Sequence, residues 1–414
     1  VKILKIKRYF MAKGRIITGL DIGSSAIKTV VIRDDPKEEK FQVLSQIHEP
    51  SSGVRKGVVV NVEEVADLVA TSLEKATEEV GQKIDEVFVN IGGSHIFCLP
   101  SQGLVSVSRA DQRISQEDIE RVLSAAQIFS LSSNKEVIDV IPRQFIVDGE
   151  RGIKEPLGLK GVRLEVDALA LGCFSPYLKN LTQSVLASGA QINDVFFTPL
   201  ASSRAVLKPR ERELGVAVLD IGAGNSSLAV FEEGGLVHTA VFPFGSANIT
   251  NDIAIILKTD IDTAERIKIE FGSCIYRNGN KKEKIKGEFL SEPLVFSKKN
   301  LVNIIEARVS EIFDQVSKEL KKISKHALLP SGIVLTGGGS NLPRIAELAK
   351  KELKLPCRLG VPQGFASFQD DPAFSTACGL VLLPRDNQES PHHYAGLSPG
   401  FGEKIKKVFR IFNI

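Results

Sequence analysis

The sequence predicts an α/β protein built from two related halves. Three observations predict it. The stretch LDIGSSAIKT at Leu20–Thr29 returns as LDIGAGNSS at Leu219–Ser227, with the two aspartates 199 positions apart in a chain of 414. Each D-I-G lies between apolar segments, TGL and TVVI in the first copy and AVL and LAVF in the second. That is the pattern of a strand, a tight turn and a second strand. A third glycine run, VLTGGGSNLPRI, follows at Val334–Ile345.

The first half opens on a strand at Ile16–Leu20. A helix at about Asn61–Val80 places Val65, Leu68, Val69, Leu73, Ala76 and Val80 on one face. Asn61 caps it, Glu64 is placed to complete a capping box, and Gly81 ends it. A segment of different character follows. It has strands at Glu86–Ile91, Leu104–Ser108, Val137–Val147 and Val162–Leu171, and a helix at Ser115–Ile128 with an S-x-x-D start. The α/β pattern then resumes with helix Pro176–Ala187, strand Val195–Thr198 and helix Pro199–Leu207. The charged run Lys208–Glu213 reads as the hinge between halves.

The second half opens on Val216–Asp220 and the repeated turn. Asn251–Phe271 reads as mostly helical, Arg277–Lys286 as a polar excursion, and Lys298–His326 as a long helix. Ile333–Thr336 is then a buried strand leading through Gly337–Gly339 into a helix capped by Ser340 or Asn341, with Pro343 in its first turn. From Pro384 to Gly400 the chain is polar, rich in Pro and Gly and aperiodic, hence a linker.

These glycine turns point to a phosphate ligand. Gly23 and Gly222 let the backbone turn sharply and approach a ligand with no Cβ in the way. Ser24, Ser25, Gly224 and Asn225 keep the turns small and polar, and successive N–H groups there form an anion-binding concavity. A carboxylate just before such a turn makes sense as a holder of Mg²⁺, directly or through water, so Asp21 and Asp220 are the metal candidates. Lys28 adds positive charge if its strand turns it inward. A single D-I-G is equally a plain hairpin; two copies and a third glycine run argue for a nucleotide held between two halves. The third run is neither a Walker A motif nor a G-x-G-x-x-G fingerprint.

Composition excludes several classes. No apolar run reaches the length of a membrane-spanning helix. The five cysteines are scattered and form no C-x-x-C, which favours free thiols in the cytosol. The six histidines show no metal-ligand spacing. The net charge of +3 hides an uneven distribution: residues 1–15 carry six basic groups and no acid, and residues 401–414 carry four basic groups and one acid. The intervening body has 43 basic against 49 acidic residues and gives no reason to expect nucleic-acid binding. The only methionine is Met11, where translation is expected to start.

The last fourteen residues, FGEKIKKVFRIFNI, form an amphipathic pattern. Phe401, Ile405, Val408, Phe409 and Phe412 fall within a helical sector of about 100°, opposite Lys406, Lys407 and Arg410. Such a helix is about 21 Å long at 1.5 Å per residue, too short to span a bilayer. Beyond a linker, it fits a membrane-surface anchor on anionic lipid. A helix docked on its own body, or a calmodulin-type target, is the other reading.

The D-I-G turns, the T-G-G-G-S segment and the duplicated halves resemble the actin/Hsp70/sugar-kinase superfamily. Within it the chain is similar over nearly its whole length to the FtsA family of bacterial cell-division proteins. The resemblance is carried by GVVVNVEEVADLV (57–69), VNIGGSHI (89–96), SRADQRISQEDIERVL (108–123), GLKGVRLEVDALA (158–170), PLASSRAVL (199–207), NITNDIAIIL (248–257) and AERIKIEFG (264–272). It implies actin-like (ribonuclease-H-like) duplicated domains around a nucleotide cleft, with an inserted α+β subdomain and the terminal amphipathic helix. The implied division is a disordered basic arm at 1–14, one subdomain at 15–84 with 168–207, and the insertion at 85–167. A second core subdomain takes 208–247 with 330–383 and its companion takes 248–329, before the linker at 384–400 and the helix at 401–414.

The resemblance also implies ATP and Mg²⁺. Asp21, Gly23, Ser24, Ser25 and Lys28 match its first phosphate loop, and Asp220, Gly222, Gly224 and Asn225 its second. Gly337, Gly338, Gly339 and Asn341 match the adenosine loop, and Glu265 and Lys268 the E-x-x-K that contacts ribose and adenine. It further implies attachment of FtsZ to the cytoplasmic face of the membrane at the division site, filament formation with copies of itself, and recruitment of later division proteins. Two departures stand out. Thr198 lies where related bacterial actins carry a water-activating Glu, and a threonine cannot act as a general base, so at most a slow ATPase is expected. FPFGSA (242–247) replaces an expected G-G pair, leaving Gly245 alone to serve. A sugar kinase would need a positioned carboxylate base, a chaperone ATPase a peptide-binding domain, and a pilus-assembly homologue no lipid helix.

Overall fold

The computed structural model describes residues 14–35, 38–127, 132–276, 284–289, 292–325, 328–366 and 368–389. The basic arm up to Lys13, Met11 and the amphipathic helix with Phe401, Ile405, Lys406, Lys407, Val408, Phe409, Arg410 and Phe412 lie outside the described residues.

The duplication in the sequence is a duplication of sheets. In the first, Ala26–Asp34 lies between antiparallel neighbours Arg15–Ile22 and Phe41–Pro50, and Arg15–Ile22 continues into parallel Glu86–Ile91 and Gln191–Phe197. In the second, Ser226–Glu232 lies between antiparallel Val216–Ile221 and Gly235–Phe242, and Val216–Ile221 continues into parallel Ile333–Thr336 and Cys357–Leu359. The two five-strand orders are the same. Residues 17–22 of the first strand and all of Val216–Ile221 are buried because both faces of each are covered.

The crossover Val62–Val80 forms as its pattern dictates. Val65, Ala66, Val69, Leu73 and Ala76 are buried on one face, Asn61 Oδ1 accepts from Glu64 N, and Gly81 ends the helix in the left-handed region at φ 70°. The expected capping box does not close. Glu64 Oε2 accepts from the Asn61 side chain, while the Asn61 backbone N–H donates to Gly53 O. The box does form at Ser115 and Asp118, on a helix that covers only Gln116–Ala125.

The insertion is a four-stranded sheet of Phe97–Ser106, Arg163–Phe174, Lys135–Val147 and Glu150–Ile153. One face carries the helix Gln116–Ala125 over Val140, Phe145, Leu164 and Val166, and the other, with Ile138, Ile141 and Leu171, joins the core of the first half. Glu86–Ile91, expected within the insertion, belongs to the first sheet. Residues 168–174, expected outside it, continue one of its strands.

Two further expectations are corrected. The charged run Lys208–Glu213 is a helix, Pro209–Leu214, with Arg212 buried against Phe231 and Glu211 paired to Arg358 at 2.7 Å. The segment expected as a linker from Pro384 is helical to Glu389, within Ser375–Glu389. Leu380, Val381, Leu382 and Leu383 are buried in the first half's core, which outweighs the roughly 3 kcal/mol a proline costs inside a helix. With Phe365–Ala366 pairing to Phe41–Pro50, that helix returns the chain to the first half.

Candidate functional site

The two D-I-G turns face each other across a cleft of about 660 Å³. That volume is in the range of small-molecule sites. The cleft brings together Asp21, Gly23, Ser24, Ser25, Lys28, Asp220, Gly222, Asn225, Glu265, Lys268, Gly337, Gly338, Gly339 and Asn341. Two expected residues, Gly224 and Gly245, do not line it.

Each turn folds the same way. Gly23 N donates to Ala26 O at 3.1 Å and Gly222 N to Asn225 O at 2.9 Å. The first turn is backed by Gly57 N, which donates to Ser24 Oγ at 2.8 Å. The second is backed by the start of helix Ser246–Leu257, where Ser246 N donates to Gly222 O at 2.8 Å and Ala247 N to Ala223 O at 3.0 Å. Gly245 therefore lies against the backbone of the second turn. A Cβ there would lie 2.4 Å from Gly222 O and 2.6 Å from Ala223 O, too close to tolerate. A Cβ on Gly224 would meet Ser24 Oγ at 2.6 Å, so its bareness lets the two turns approach each other.

Strand register puts Lys28 opposite Asp21. The lysine is thus turned inward, and its Nζ sits 3.2 Å from Asp21 Oδ2. Asn90, a buried residue of Glu86–Ile91, donates to Asp21 Oδ1 at 2.7 Å. Asp220 has hydroxyl neighbours. Thr376 Oγ1 donates to its Oδ2 at 3.1 Å, and Ser202 adds a second side-chain hydrogen bond. Burial, then the negative charge of Asp21, push the Asp220 carboxyl up to about 6. Two carboxylates that repel across one cleft are the oxygen donors a divalent cation needs, so the residues present fit Mg²⁺.

The E-x-x-K pair lines the cleft. Lys268 Nζ donates to Glu265 Oε2 at 2.7 Å and to Thr250 Oγ1 at 2.9 Å, and Thr250 donates to the same carboxylate. The third glycine run enters differently from expectation. Gly338–Asn341 is a 3₁₀ turn, and the helix starts only at Ile345. Ser340 Oγ donates to Gly337 O and Asn341 Nδ2 to Asp371 Oδ1, so neither caps the helix. The glycines still face the cleft, but no helix N-terminus follows them directly. Thr198 begins the helix Thr198–Val206, lines the cleft and donates to Ile91 O at 3.1 Å.

Sequence reasoning missed Asn90, Thr376, His48 and Gly57, which also line the cleft. Only Asn90 left a signal, a polar residue within the apolar run from Val87 to Ile91. Thr376 arrives from 156 residues beyond its partner and left none.

In sequence, the family model described as "Cell division protein FtsA" matches residues 217–379, and "SHS2 domain inserted in FTSA" matches residues 93–171. The second range agrees with the sheet described above better than 85–167 does. "Cell division protein FtsA" of Pseudomonas aeruginosa is 35% identical over 91% of this chain and 90% of its own length. Its namesake in Bacillus subtilis is 35% identical over 90% and 84%. Among solved structures, a PilM–PilN type IV pilus biogenesis complex aligns with a TM-score of 0.64 at 19% identity, covering 89% of this chain and 98% of that one. MreB5 of Spiroplasma citri bound to ADP aligns with a TM-score of 0.55 at 13% identity, covering 91% and 99%. These likenesses show an actin-like fold.

Proposed function

The chain belongs to the FtsA family of cell division proteins, and on that premise we propose that it is an ATP-binding adaptor that attaches FtsZ to the cytoplasmic face of the membrane at the division site. The observation that carries the nucleotide part is the convergence of both D-I-G turns, the glycine run at 337–339 and the Glu265–Lys268 pair on one cleft.

The backbone of Ser24, Ser25, Ala223 and Asn225 would receive the phosphates, with Lys28 supplying a positive charge. Gly337–Gly339 and Asn341 would flank the adenosine, and Glu265 and Lys268 its ribose and base. Asp21 and Asp220 would hold Mg²⁺, which when bound neutralises phosphate charge. Residue 198 offers a hydroxyl already donating to a backbone carbonyl, and no carboxylate, to an attacking water. Bound ATP would therefore be held more than consumed, and the nucleotide would set the shape of the adaptor. The helix at 401–414 would supply the membrane contact, through its phenylalanines in the lipid boundary and its basic face on anionic headgroups. Filaments of this chain and recruitment of later division proteins complete the reading. The pilus-assembly alternative shares only the fold.

Two measurements test the two parts. Asp220→Ala should weaken Mg²⁺–ATP binding in calorimetry; unchanged affinity would refute the cleft assignment. In flotation with anionic vesicles, the intact chain should rise and a chain ending at Gly400 should stay in solution. If neither rises, the membrane role fails.

A further inference from the structure

We propose that Asn90 is the positioning residue of the cleft, fixing the Asp21 carboxylate so that the Mg²⁺-dependent part of ATP binding depends on this one amide. The inference rests on the nucleotide reading above.

Asn90 is 5% exposed and its amide is fully engaged. Its Oδ1 accepts from Ile22 N at 2.8 Å. Its Nδ2 donates to Asp21 Oδ1 at 2.7 Å and to Thr198 Oγ1 at 3.2 Å. The hydrogen-bond network fixes the amide orientation: a backbone N–H needs the carbonyl oxygen, and a carboxylate needs the NH₂. Thr198 passes its own proton to Ile91 O at 3.1 Å, which frees its oxygen to accept from Asn90.

Each partner belongs to a different piece of the site. Ile22 and Asp21 end the strand that carries the first turn, Ile91 ends the neighbouring strand, and Thr198 starts the helix that follows the third. One side chain thus ties three element ends together at the floor of the cleft. Lys28 holds the other Asp21 oxygen, so the carboxylate is gripped from both sides. Groups that orient a metal ligand in this way typically change metal affinity ten- to a hundredfold when removed.

A merely structural asparagine and a positioning one predict different results. ATP affinity would be measured with excess Mg²⁺ and with chelator for the full chain, Asn90→Ala and Asn90→Asp, alongside thermal melts. Positioning predicts that the gain in affinity from Mg²⁺ falls about tenfold in N90A while Mg²⁺-free affinity stays within about twofold of the parent. N90D keeps the shape but sets a carboxylate against Asp21. With the acceptor for Ile22 N kept and the donor to Asp21 gone, it should lose the Mg²⁺ gain at least as fully as N90A. An equal loss with and without Mg²⁺, or an undiminished Mg²⁺ gain in a folded variant, overturns the proposal. Should N90A fail to fold, the Mg²⁺ gain in N90D decides alone. If the parent chain shows no Mg²⁺-dependent ATP binding, the nucleotide reading itself has failed, a result separate from any difference among variants.

Discussion

Gly23 closes the first turn onto Ala26 and Gly222 closes the second onto Asn225, with nearly equal geometry. Their aspartates, equally buried, are treated differently. Asp21 faces a lysine and a fixed amide; Asp220 faces hydroxyls, and burial with the charge of Asp21 lifts its carboxyl to about 6. The repeat therefore specifies two turns, while the neighbours of each turn specify the partners of its aspartate. One aspartate is balanced within the protein. The other is left costly until a cation arrives, which couples ligand binding to stability at the second turn more than at the first.

The largest expected effect comes from removing the costly charge. A carboxyl raised from 3.8 to about 6 contributes stability that is present at low pH and lost as pH rises through that window. The shift corresponds to about 3 kcal/mol at 1.36 kcal/mol per pH unit. Asp220→Asn should thus raise the stability of the ligand-free protein by up to about 3 kcal/mol at pH 8 and by little at pH 4 in urea titrations. Asp21→Asn, which strands Lys28, should bring no such gain. Equal shifts for the two variants would end the comparison.

Gly245→Ala addresses what backs the second turn alone. The added methyl meets backbone oxygens of that turn, and such overpacking costs about 1–3 kcal/mol. The loss should appear in denaturant melts and be accompanied by weaker ATP binding. A neutral variant would show that the helix start does not hold this loop. The smallest effect belongs to Lys28→Met combined with Asp21→Asn in a double-mutant cycle. A coupling energy of about 1 kcal/mol is expected for this part-buried pair, and zero coupling would mean that the first aspartate is no better balanced than the second.

Much of the fold was legible because its signals are local. Asn61 and Gly81 bound their helix as read, since capping involves residues three or four apart. The strand Glu86–Ile91 was placed to the residue by its apolar run. The misreadings share one cause. Pro384 is a stop signal by local rules, yet the surrounding leucines bury enough apolar surface to carry the helix past it. Ser340 looks like a cap, yet it turns back onto Gly337 within a 3₁₀ turn.

The sequence by itself determined the two turns, the glycine run, the carboxylates before the turns and the duplicated architecture, because glycine and alternating hydrophobicity act over a few residues. Only the tertiary structure decided which of those residues meet. Asn90 and Thr376 reach the aspartates from 69 and 156 residues away, and Thr198 reaches Asn90 from 108. The close approach of Gly245 to the second turn was set by the packing of one helix start. The unequal partners of two matching aspartates were likewise set there, because the approach of Lys28 and Asn90 to one and of Thr376 to the other is a property of the packed cleft.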